Sequence, residues 1–142
     1  MSARIARLTV AVLVFAVAAV SASIAEDGRD LQVTRAVTGS GVENRVVVGE
    51  SDTFAEGSEV VFWTLVEGGA SGDSIDHVWI REGEEVVTVG LAVGSARWRT
   101  WSKKMLHPGS AGAWSVEARD RDGTVLATAS FTCTPAPDTP AE

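Results

Sequence analysis

Cysteine is almost missing from this chain, and the lone Cys133 rules out any disulfide within it. The same count excludes a CxxC pair, and two histidines, His77 and His107, are too few for most zinc sites. No HxxxH spacing and no GxSxG nucleophile elbow occur. Ser74-Ile75-Asp76-His77 holds the residue types of a hydrolytic triad, but strand neighbours cannot take up that geometry. Asp73, Asp76 and His77 with Glu82 could touch a metal ion but read equally as a surface acid cluster. Glu84-Glu85 beside Glu82 reads as a solvated hairpin edge, and nothing selects a glycosidase pair. Positive charge is also scarce, with 12 Lys and Arg against 19 Asp and Glu and a net charge of −7. Such a balance disfavours generic binding to nucleic acid or anionic lipid, so cations matter here only as a local patch. The expectation is a domain without catalysis, cofactor or metal.

One long hydrophobic run exists, and it lies at the N-terminus. Arg4 and Arg7 precede the apolar stretch from Leu8 to Val20, and small residues lead to Ser23-Ile24-Ala25 before acidic Glu26-Asp27. This is the layout of a signal peptide over residues 1–25, cleaved after Ala25, with Ala22 as a second position. An uncleaved membrane anchor is the alternative, although an Ala- and Ser-rich run is marginal for a spanning helix. Removing the two arginines of that segment deepens the net charge to −9. No cysteine follows the run to take a lipid, so the expected location is the periplasm or the cell exterior, without stable membrane insertion.

Helical periodicity is nearly absent from Leu31 onward, and strands are plentiful. Leu31–Val37 alternates apolar with polar, and Arg45–Val48 follows a Gly-Ser-Gly break. Glu59–Val66 is apolar on both faces, which suits a central strand. Ile75–Arg81 and Glu85–Val89 form a hairpin through Glu82-Gly83-Glu84. Another strand starts at Arg97. Ala113–Arg119 and Thr124–Thr132 close a second hairpin over Asp122-Gly123. About eight short strands at this spacing predict an all-β, antiparallel, immunoglobulin-like β-sandwich over residues 26–133, with Cys133 buried at its end. The Pro-rich stretch 134–142 reads as a disordered tail.

The densest feature is Arg97-Trp98-Arg99-Thr100-Trp101-Ser102-Lys103-Lys104, which holds two of the five tryptophans and four of the twelve basic residues. As a strand it sends Arg97, Arg99, Trp101 and Lys103 to one side and Trp98 to the other. Val78 and Ile80, being β-branched, are the natural core pair of their strand, which places His77, Trp79 and Arg81 outward. Trp98, Trp114 and Val116 are then core residues. His77, Trp79, Arg81, Arg97, Arg99 and Trp101 are expected to share one exposed face, provided their strands are neighbours. Such a face is either a ligand platform for sugar rings and acidic groups or a set of tryptophans covered by their own arginines.

His77-x-Trp79, Gly83, Val93-Gly94, Arg97-Trp98-Arg99-x-Trp101-Ser102-Lys103, Pro108-Gly109, Gly112-x-Trp114-x-Val116 and Asp122-Gly123 together resemble a bacterial family of unknown function, family 2914. The resemblance runs from about Ser58 to Phe131 and implies a small all-β domain of exported or membrane-attached proteins, with no activity or catalytic residues to carry over. The functional expectation is an envelope binding domain that holds a glycan or acidic polymer on its Trp/Arg face. A protein-interaction scaffold with structural tryptophans is the alternative, and nucleic acid is not an expected partner.

Overall fold

A computed structural model describes residues 31–137, so the expected signal peptide and the end of the Pro-rich tail lie outside the described residues. The chain forms ten strands: β1 (Gln32–Gly39), β2 (Gly41–Glu43), β3 (Val46–Val48), β4 (Thr53–Ala55), β5 (Glu59–Glu67), β6 (Asp73–Arg81), β7 (Glu84–Val93), β8 (Arg97–Met105), β9 (Gly112–Arg119) and β10 (Val125–Thr134). They make a three-stranded sheet of order β1-β5-β8, a five-stranded sheet of order β4-β10-β9-β6-β7, and the small β2–β3 hairpin.

Turn chemistry sets the hairpins. Arg81 pairs with Glu84, so Glu82-Gly83 is a two-residue turn with both φ positive, at 49° and 80°. At the β9–β10 turn the Asp120 carboxylate accepts the backbone N–H groups of Asp122 and Thr124, both at 2.9 Å. All these pairings are antiparallel. The exception is β4, which runs parallel to β10 and buries Phe54 at 7% exposure. A purely antiparallel sandwich is therefore corrected to a mixed one. At three residues β4 is too short to show alternation in the sequence.

The two main sheets pack face to face. Val60 and Phe62 of β5 meet Trp79 of β6, Trp114 and Val116 of β9, and Phe131 and Cys133 of β10. Trp114 stacks on Phe131 at 5.7 Å between ring centroids, and Trp79 meets both Phe62 and Phe131 edge to face. β5 is the middle strand of its sheet and is buried on both sides, because the β2–β3 hairpin covers its outer face with Val42 and Val47. Cys133 is buried, and removal from water pushes its thiol above the usual range.

Candidate functional site

His77 and Trp79 do not lie on the outer surface. Both are fully buried between the sheets, and the expectation of an exposed His77–Trp79–Arg81 row is corrected. The three residues do share a face, but it is the inner one. The β-branched criterion failed because Val78 and Ile80 lie on the outer face of a strand flanked by β7 and β9. Val78 is also buried, at 2%, on a side crossed by the ion pairs of Arg119 with Glu85 and Glu117. Arg81 points into the end of the sandwich, where its Nη2 donates to the Ala111 carbonyl at 2.7 Å.

The hydrogen bonds around His77 fit one proton arrangement. Thr64 Oγ1–H donates to the Thr100 carbonyl at 2.9 Å, so Thr64 must accept from His77 Nε2–H at 3.1 Å. Trp79 Nε1–H donates to Ser102 Oγ at 3.1 Å, leaving the Ser102 hydroxyl proton for His77 Nδ1 at 2.7 Å. Every polar atom in this chain of partners is used. Burial lowers the His77 pKa from 6.5 to about 3, so the ring is neutral at ordinary pH. With both ring nitrogens engaged by Thr64 and Ser102 and the ring closed off from solvent, His77 is a tie between the sheets.

The other half of the expected face is real and has different neighbours. Arg97, Arg99, Trp101 and Lys103 lie on the outer side of the three-stranded sheet, opposite Thr100 and Ser102, which face the core. Trp101 pairs across the ladder with Trp63, and both pack under the β2–β3 hairpin. Trp63 Nε1–H donates to the Arg45 carbonyl at 3.0 Å, fastening a turn in which Asn44 and Arg45 both have positive φ, at 51° and 63°. That turn carries the Arg45 guanidinium to 5.2 Å from the centre of the Trp98 ring. Trp98 itself is half-buried rather than fully inside, packed on Val66, Ile75 and Val93 at the rim of the sandwich. Trp114 and Val116 are core residues, at 4% and 0% exposure.

Arg45, Trp98, Arg99 and Trp101, with Ala92 and Thr100, therefore line an open hollow of about 510 Å³ along β8. A smaller one of about 200 Å³ lies between Arg45, Arg97 and Arg99. Arg97 is paired with Glu67 at 2.7 Å and Lys103 with Glu59 at 3.9 Å, whereas Arg45 and Arg99 have no carboxylate partner among the described residues. Sequence reasoning missed Arg45, whose place depends on a hairpin folded over another sheet. The cue was the outer apolar face of β5, which needed a cover. A wider concavity of about 600 Å³ on the five-stranded sheet is lined by Asp52, Thr53, Glu82, Ser115, Ser130 and Thr132, and in it the Thr53 hydroxyl donates to the adjacent Asp52 carboxylate at 3.2 Å. Among the described residues no three metal-ligating side chains converge.

Fold and site together define a small two-sheet all-β domain with a basic, indole-walled hollow on one sheet edge. Residues 72–133 match the model of the family described as "Protein of unknown function (DUF2914)". The match begins just before β6 and leaves out β5, which the resemblance read from about Ser58 had included. No curated relative matches the chain. Among solved structures, the chain is similar to the Pseudomonas fluorescens alkylpurine DNA glycosylase AlkC bound to DNA containing an abasic site analog, at 11% identity and a TM-score of 0.50 over 76% of this chain. The chain spans 31% of the glycosylase's length, and the likeness is one of fold. The CARDB domain of the PF1109 protein from Pyrococcus furiosus, solved with di-metal ions, aligns at 14% identity and a TM-score of 0.46, covering 77% of this chain and 94% of that one.

Proposed function

We propose that this chain is an exported, non-catalytic binding module of the cell envelope that holds an acidic polymer, such as a glycan bearing carboxylates, on the hollow along β8. The observation that carries the reading is that Arg45 and Arg99, side by side at the hollow, have no carboxylate partner among the described residues. In a chain with seven net negative charges, carboxylates are plentiful, yet none reaches these two guanidinium groups among the described residues. Their fork of donors suits carboxylate or phosphate, and the Trp98 and Trp101 rings offer flat walls beside them. Trp63, Trp79 and Trp114 are buried and serve the fold. Export rests on the layout of residues 1–25.

The domain reads as immunoglobulin-like. Lettered as in that fold, β1-β5-β8 corresponds to A-B-E and β4-β10-β9-β6-β7 to A′-G-F-C-C′. Antibody domains set a strand-C tryptophan against an inter-sheet disulfide. Here Trp79 takes that place, and with one cysteine in the chain the His77 network supplies the inter-sheet link.

Titration with polygalacturonate, followed by tryptophan fluorescence, tests the reading. The expected result is binding at low salt that weakens as salt screens the contacts, with no response to neutral dextran. The double substitution Arg45→Gln and Arg99→Gln is expected to weaken binding by roughly 10- to 100-fold, the worth of one or two charge-assisted hydrogen bonds. Equal binding by the double variant would overturn the proposal.

A further inference from the structure

The two main sheets have four edges, and three carry the irregularities that keep edge strands from pairing. β1 is bulged between Val33 and Arg35, β4 is three residues long, and β7 is bulged opposite Trp79–Ile80 and opens with Glu84-Glu85. β8 differs. Its nine residues pair with β5 in unbroken register from Glu59↔Met105 to Glu67↔Arg97, with no proline and no bulge. Its other side has no strand beside it among the described residues, and the 510 Å³ hollow opens there. What distinguishes this edge is its charge, from Arg97, Arg99, Lys103 and Lys104.

We propose that β8 is a docking edge for an extended acidic peptide, which adds to the three-stranded sheet as a fourth strand. The inference rests on the reading of the β8 hollow as an anion site and names its occupant. Arg97, Arg99, Trp101 and Lys103 repeat at every second residue on one face, about 6.6–6.8 Å apart. An added strand presents its own side chains with the same repeat, so acidic groups at alternate positions fall opposite these cations, a favourable cross-strand pairing. Backbone hydrogen bonds along the open edge supply affinity, and the hollow walled by Trp98 and Trp101 takes one side chain. A second copy of β8 is disfavoured, because antiparallel self-pairing sets arginine and lysine against their own kind. A polysaccharide meets the charges but leaves the backbone edge unused.

The test uses the full chain and three nine-residue peptides alternating glutamate with threonine. One is unmodified, and each of the others is N-methylated on one of the two alternating sets of amides. Strand addition is expected to give binding that drops at least about tenfold when one set is methylated and changes little when the other is. Equal affinity for all three peptides would overturn the inference and leave a purely electrostatic site. Arginine-dependent binding of polygalacturonate with no peptide binding would also overturn it while sparing the anion site. Sedimentation showing a dimer that Arg99→Gln strengthens, by relieving like charges in opposition, would replace the peptide with a second copy. If Arg45→Gln with Arg99→Gln left both peptide and polygalacturonate binding unchanged, the anion site itself would fail.

Discussion

At the scale of the residue, His77 shows how burial converts a candidate functional group into a structural one. Its folded pKa of about 3 lies below the ordinary 6.5, so the unfolded chain takes up a proton below about pH 6.5 and the folded chain does not. The stability it contributes is complete above the unfolded value and is lost as pH falls toward the folded one. The slope is about 1.4 kcal/mol per pH unit within that window. His77→Gln is expected to remove that slope. Urea unfolding of both proteins at steps from about pH 7 to about pH 4 checks it, and the stability gap should narrow as pH falls. A constant gap would mean that the ring is solvated and titrates normally. In the sequence His77 and Trp79 fall on the wrong side because the apolar residues Val78 and Ile80 occupy the outer face of β6. The side chains that chose the inner face did so through polar atoms, and their partners Thr64 and Ser102 lie on strands of the opposite sheet.

At the scale of the element, the seven longer strands were legible, and of the three-residue strands only β3, within the expected Arg45–Val48, was. Alternation in β1, apolar content in β5 and turn residues around β6–β7 and β9–β10 located all the longer strands. β2 and β4 are three residues each, below the length at which a period of two can be seen. The two-sided character of β5 was read correctly as central. Its consequence, that an element must cover the outer face, leads to the β2–β3 hairpin and so to Arg45. The phase within β8 was also legible, because cations mark its outer face. The hairpin's role can be measured through Trp63→Phe, which removes the indole N–H that holds the Arg45 carbonyl. The expected cost is about 1 kcal/mol of stability. Freed from its turn, Arg45 should leave the hollow, weakening polygalacturonate binding by about fivefold. Unfolding curves and the same titration read the two effects separately, and unchanged affinity would show that Arg45 is placed by something other than this bond.

At the scale of the whole molecule, the family match and the folding unit do not coincide. The matched segment, 72–133, spans β6 to nearly the end of β10 and contains the entire β8 sequence. Yet β8 pairs with β5 alone, and β5 supplies Val60, Phe62 and Val66 to the interior at 0% exposure. It also supplies Thr64, without which His77 Nε2–H has no acceptor in the core. A chain cut to residues 72–133 would keep β9 paired with β6 and β10 but expose the inner faces of Trp79, Trp114 and Phe131. Each large side chain that loses its packing forfeits about 1.5–3 kcal/mol of burial, so the loss of β1 and β5 exceeds the 5–15 kcal/mol by which a domain of this size is ordinarily stable. The expected outcome is a segment without cooperative thermal unfolding or slowly exchanging amides, whereas residues 31–137 unfold in one transition. Adding back a separate fragment containing residues 31–71 should restore both signals, because the missing contacts are interfacial rather than local. Cooperative unfolding of 72–133 by itself would mean that β6, β7, β9 and β10 hold a core of their own, and that the β8 edge could be displayed without the sheet it completes here.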